Sequence, residues 1–190
     1  MTRSLSSFAE EGYKAPERAF KFSIGAVQAW DQALATTGMV EVIFGQTQSG
    51  RQVIRVTRAI TLVPGLPLGG YPAMLKAAVE YEKLIQKYLW FQDVVYEDVP
   101  AMGFRLYRPE SSLLAALAIE MACDKRHIEV STVPAQVPKT DWAANPKATK
   151  VQLKNGILEK FPYLEEPMKR ADEHQWDALG VALSHALVRE

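Results

Sequence analysis

Apolar and polar positions follow a strand-like pattern in the first third of the chain and shift to a helical spacing after it. Phe22 to Trp30 reads as a strand that leads into Asp31. Gly38 marks a turn, and Met39 to Phe44 reads as a second strand. The Gln/Ser/Gly content of Gln46 to Gly50 predicts a hairpin turn, and Arg51 to Leu62 alternates as a third strand. Pro64 to Pro72 is a Pro/Gly-rich loop. Met74, Ala77, Ala78, Tyr81, Leu84, Ile85, Tyr88 and Leu89 then recur at helical spacing, with Lys76, Glu80, Lys83 and Lys87 off that stripe. Asp93 to Asp98 is a short strand. A helix capped by Ser111 or Ser112 runs to about Asp124, and Glu129 to Val133 is another strand. Pro134 to Pro146 reads as a polar loop, Lys147 to Lys160 as a helix, and a last helix starts near His174. This βββαβαβαα order predicts an α/β fold, in which a meander followed by helix-linked strands builds a five-stranded mixed sheet with helices on both faces. Crossovers between its parallel strands are expected to be right-handed.

Composition changes this picture little. A chain of 190 residues with 48% apolar and 23% charged residues is sized for one domain with a real core. We read residues 1–20 as an N-terminal arm and 21–190 as the single domain, since the mixed charges of the arm suit neither a signal nor a transit peptide. No apolar run reaches the roughly 20 residues needed to span a bilayer, so no membrane partner is expected. Cys123 is the only cysteine, which excludes an internal disulfide and a cysteine-based zinc site and suits a reducing, cytoplasmic compartment. It falls in an apolar helical run, as a small buried hydrophobe would. Lys and Arg balance Asp and Glu at 22 each, which argues against coating DNA by charge alone and leaves room for a local basic face.

The candidate chemistry lies where elements end. Asp31 follows the run Ile24 to Trp30, and Glu97 closes Val94-Val95-Tyr96. His174 and Asp177, three apart at the start of the last helix, share one helix face. Taken singly, Asp31 suits a turn, Glu97 a satisfied structural acid, His174 a cap and Asp177 the helix dipole. Together they form a donor set for hard divalent cations, and two Mg²⁺ or Mn²⁺ ions held by such carboxylates cut phosphodiesters by in-line displacement. One imidazole among the ligands shifts the preference somewhat toward Mn²⁺. Lys139, Lys147, Lys150 and Lys154 stand against Asp141 alone between residues 139 and 154. They read either as a solvated face or as a clamp on DNA phosphates, with Lys150 nearest the chemistry. Trp142 and Asn145 either touch nucleic acid or pack. The chain contains no GxxxxGK[ST], no GxGxxG after a strand and no GxSxG elbow.

These motifs resemble the RuvC-type Holliday junction resolvases of the RNase H-like superfamily, over about residues 22 to 188. Asp31 with the following Leu34-Ala35-Thr36-Thr37-Gly38 resembles the family's first-strand Asp and Thr-Gly turn. Val94 to Val99 resembles its central Glu motif, Lys147 to Leu153 its Ala-x-Lys-x-Gln-Val segment, and His174 to Leu183 its closing motif. The resemblance implies a homodimer that places two metal sites on opposed strands of a four-way DNA junction, in a bacterial or phage-infected cell. It implies paired nicks leaving 5′-phosphate and 3′-hydroxyl ends, with Asp31, Glu97, His174 and Asp177 on the metals and Lys150 at the scissile phosphate. The apolar helix Leu113 to Ile119 either supplies the dimer contact or is buried within the monomer.

Two departures from the family's pattern would fit a divergent member, such as those of phages or related mobile elements. Gln32-Ala33 replaces the family's Pro-Gly after the first Asp. Pro100 stands where an aromatic wedge is expected, with Met102 and Phe104 nearest to that role. Two further readings share the fold: a nuclease for other branched or hybrid nucleic acids, and a non-catalytic junction-binding protein.

Overall fold

The computed structural model describes residues 25–46, 52–63, 65, 71–90, 93–98 and 109–187. The N-terminal arm, the β-hairpin tip and the Pro100–Phe104 segment proposed for a wedge lie outside these residues. The elements are β1 (Gly25–Asp31), β2 (Thr37–Gln46), β3 (Gln52–Leu62), α1 (Tyr71–Gln86), β4 (Asp93–Asp98), α2 (Pro109–Asp124), β5 (Glu129–Pro134), α3 (Gln136–Ala143), α4 (Lys150–Lys160) and α5 (Glu173–Ala186). The strands form one mixed sheet in the order β3-β2-β1-β4-β5. β1, β2 and β3 pair antiparallel, while β1–β4 and β4–β5 pair parallel. The α/β architecture and the mixed five-stranded sheet are as the sequence pattern predicts.

Alternation sorts the side chains onto two cores, because successive residues of a strand point to opposite faces. Val27, Ala29, Val40, Val42 and Val95 face α3, α4 and α5. Trp30, Met39, Val94 and Tyr96 face α1 and α2. The same period carries Asp31 and Glu97 onto the α5 face. α5 is buried on nearly all sides from Trp176 to Ser184, as expected of an all-round apolar helix. It lies between the sheet and α3 with α4. Cys123 is buried in the α1/α2 core, and burial pushes its thiol up to about 12.

Several local expectations need correction. Gly38 lies within β2, opposite Asp31, and the turn is Gln32 to Thr36 instead. Pro72 already belongs to α1, which shortens the Pro64–Pro72 loop at its end. Ser111 is not a cap: α2 begins at Pro109, and the Ser111 hydroxyl accepts the Leu34 N–H at 3.2 Å. The polar loop 134–146 contains α3, held by packing: Trp142 is buried, donates to Ser184 Oγ at 2.9 Å and meets the Phe161 ring at a tilt, with centroids 5.6 Å apart. α4 starts at Lys150, not Lys147. Thr149 caps it in a reciprocal capping box with Gln152.

Candidate active site

In open α/β sheets, ligand sites form beyond the carboxyl ends of parallel strands. β1 and β4 are the central parallel pair here; β1 ends at Asp31, and Glu97 is the next-to-last residue of β4. α5 crosses these ends on the face to which both acids point. Asp172, not His174, caps α5: its Oδ1 accepts the Gln175 N–H at 3.0 Å, and its Oδ2 accepts from Thr61. That leaves His174 and Asp177 in the first turns, directed at the strand ends. The His174 ring meets Asp31 Oδ2 through Nδ1 at 2.8 Å, and Lys150 Nζ meets Asp177 Oδ2 at 2.8 Å. Lys150 also reaches Glu173 at 3.7 Å.

The charges are strongly coupled. Burial, reinforced by the nearby Asp31 and Asp177 charges, pushes the Glu97 carboxyl up to about 7, with Lys139 and Lys150 opposing. Burial also raises Asp177, against the pull of its Lys150 bond. The bond to Asp31 holds His174 above its usual value. Burial works against the Lys150 ammonium, yet the Asp177 bond and the Asp31 charge keep its pKa raised. Three carboxylates therefore share one region of low polarity, with one lysine and one imidazole to balance them.

As they stand, no three His, Cys, Asp or Glu side chains among the described residues converge closely enough to ligate one ion. The reason is visible in the pairing: Lys150 holds Asp177 and His174 holds Asp31. The donor set nonetheless fits a hard cation. Asp177 Oδ1 is buried with no hydrogen-bond partner, and a buried carboxylate oxygen is not left bare without cost. Oxygen donors with one imidazole match Mg²⁺ or Mn²⁺.

No protein-family model and no curated protein sequence matches the chain. Solved structures do. RuvC of Thermus thermophilus superposes with a TM-score of 0.62 at 16% identity, covering 85% of this chain and 92% of that one. RuvC from the same organism in complex with Holliday junction substrate gives 0.60 at 17% identity, covering 85% and 93%. The yeast mitochondrial Holliday junction resolvase Ydc2 gives 0.50 at 12%, covering 84% and 77%. The fold is that of RuvC.

On this RuvC fold the remaining candidates separate. Lys139 lies close enough to lower the Glu97 pKa. Lys147 is exposed in the turn before α4, and Lys154 sits over the Trp176 ring at 5.1 Å. Trp142 packs in the core, while Asn145 is exposed and its Oδ1 accepts the Lys147 N–H at 2.9 Å. Asp98 is exposed and, by alternation, points to the sheet face away from Asp31.

The sequence reading missed Gly38 as a site residue. A Cβ there would lie 2.1 Å from the His174 carbonyl oxygen. The first turn of α5 can thus approach Asp31 only because β2 has no side chain at this point. A glycine inside the start of a strand is itself a signal for such an approach.

Proposed function

We propose that the chain is a divalent-metal-dependent endonuclease that resolves four-way DNA junctions by paired nicks. The observation that carries this reading is the set Asp31, Glu97, Asp177, His174 and Lys150 gathered at the β1/β4 carboxyl ends of a RuvC fold. Asp31, Glu97 and Asp177, with His174, would hold the Mg²⁺ or Mn²⁺ ions. When bound, such a pair of ions supplies an activated water and charge on the leaving oxygen.

The chain's own groups do the rest. The bare Asp177 Oδ1 and the buried Glu97 offer carboxylate oxygens that are poorly satisfied without a cation. Lys150 keeps its proton and supplies fixed positive charge for a phosphate oxygen as negative charge builds in the transition state. His174 orients Asp31 through Nδ1, and its Nε2, 3.9 Å from the Glu173 carboxylate, would serve as a ligand or a water positioner. Lys139, Lys147 and Lys154 would add phosphate contacts around this centre, with the salt dependence such contacts bring.

Two nicks on opposed strands need two copies. Leu113, Leu117 and Met121 of α2 are 47%, 49% and 44% exposed at a spacing of four, and Leu75 and Val79 of the neighbouring α1 are 41% and 52% exposed. An apolar patch of this kind supports a homodimer through α1 and α2. Leu117→Lys is expected to shift the protein from dimer to monomer in analytical ultracentrifugation.

The test of the activity is a gel assay on end-labelled four-way junction, fork, linear duplex and RNA–DNA hybrid, each with Mg²⁺, Mn²⁺ or EDTA. Symmetric, metal-dependent nicks in the junction are expected, and Asp31→Asn is expected to bind the junction without cutting it. Cutting of the hybrid alone would make the protein a ribonuclease. Tight junction binding with no cutting under any metal would leave it a scaffold.

A further inference from the structure

β1 and β4 lose their pairing just before the two acids that matter most. Their parallel ladder ends at Trp30 opposite Tyr96. Asp31 is bonded outward to β2 at Gly38, and Glu97 outward to β5 at Val133, but no backbone pair joins the two residues to each other. Among the described residues, one side chain is seen to bridge these two ends. Gln32 Nε2 donates to the Glu97 carbonyl oxygen at 2.5 Å.

The root of this amide is unusually well fixed. Gln32 itself is 5% exposed. The next residue is clamped by Thr37, whose hydroxyl accepts the Ala33 N–H at 3.2 Å and donates to the Ala33 carbonyl at 2.7 Å. Thr37 in turn bonds the Tyr81 hydroxyl of α1, and the Leu34 N–H is taken by Ser111 of α2. The turn that carries Gln32 is therefore tied to both helices beneath the sheet. Gln32 Oε1 finds no partner among the described residues. A leucine or methionine would fill the same space with no unsatisfied oxygen, so packing alone does not account for an amide here.

We propose that Gln32 is a positioning residue: a side-chain rung that replaces the missing backbone pair between β1 and β4 and sets the spacing of the Asp31 and Glu97 carboxylates for a divalent cation. The inference rests on the metal-site reading above. Outer-shell hydrogen bonds of this kind typically change metal affinity by roughly 10- to 100-fold.

The test is Mn²⁺ binding to the full chain, followed by electron paramagnetic resonance of free Mn²⁺, on wild type, Gln32→Met and Gln32→Asn. Methionine keeps the length and removes the donor. Asparagine keeps the amide and shortens its reach, and it carries the test if the methionine variant does not fold. Both variants are expected to bind Mn²⁺ about tenfold more weakly with a thermal midpoint close to wild type, and to lower kcat on a four-way junction with KM unchanged. Wild-type Mn²⁺ affinity in the folded variants would overturn the role of Gln32 alone. A wild-type chain that binds no Mn²⁺ would overturn the metal site, and this inference with it.

Discussion

α5 meets the sheet through two His–Asp pairs, one near each end, and they differ in almost everything except composition. In its first turn His174 reaches Asp31 at the carboxyl end of β1, at 2.8 Å and 28% side-chain exposure. In its last turn His185 reaches Asp93 at the amino end of β4, at 3.2 and 3.3 Å and 7% exposure. In that region Asp177 and Lys150 shift each other's pKa values, and both act on Glu97. His185 is enclosed where α5 ends, well away from those acids along the helix. One pair ties the helix down. The other sits at the open end of a parallel sheet, where the helix amino terminus also favours negative charge. The same two residue types thus become a latch or a candidate site according to which strand end they occupy.

The sharpest test of that contrast is to break each pair separately. Asp31→Asn is expected to lower junction cleavage on the order of a thousandfold, about 4 kcal/mol of barrier, while the fold survives. Asp93→Ala is expected to leave cleavage within about twofold and to cost about 1–3 kcal/mol in denaturant unfolding, because it removes the carboxylate that faces a buried imidazole. Equal effects on cleavage would erase the distinction.

The second test uses pH. With EDTA present, the neutral form of Glu97 stabilises the fold fully below its ordinary 4.5, and that contribution is lost as pH rises through about 7. The raised His174 and Asp177 values act in the same direction. Thermal melts from pH 5 to 8.5 should therefore show falling stability, by up to about 3 kcal/mol from Glu97. Glu97→Gln should flatten most of the slope and raise stability at pH 8 while abolishing cleavage. A pH-independent wild type would count against the crowded carboxylates. Added Mn²⁺ should restore stability at high pH, since it binds only the folded site.

Gly38→Ala offers a smaller, local perturbation. The new methyl overlaps the His174 carbonyl, so the first turn of α5 must move. We expect a loss of about 1–3 kcal/mol and reduced cleavage. Amide exchange near His185 should stay protected while that near His174 accelerates. Uniform acceleration along α5 would mean the two ends are not independent.

Much of this was legible before any coordinates. The apolar runs of β1 and β4 pointed to Asp31 and Glu97 near their ends, and the spacing of three put His174 with Asp177. Lys150, picked out beside these acids, does pair with Asp177. The Thr149-x-x-Gln152 capping box was also readable and would have placed the start of α4 correctly. Other features left no local trace. α3 is short, carries Pro138 and has few apolar positions. It exists because Trp142 finds Ser184 and Phe161, and because Gly156 lets α4 press onto the Trp142 carbonyl.

What the sequence determined by itself was periodicity, and with it the faces, the element types and the residues able to bind a cation. Those follow from backbone geometry within a few residues. What only the tertiary structure decided was which partner each group met: His174 against Asp31, Gly38 as a contact rather than a turn, and Gln32 as the bridge to Glu97. Such contacts join residues from about 65 to more than 140 positions apart. They depend on how whole elements pack, which no local pattern encodes.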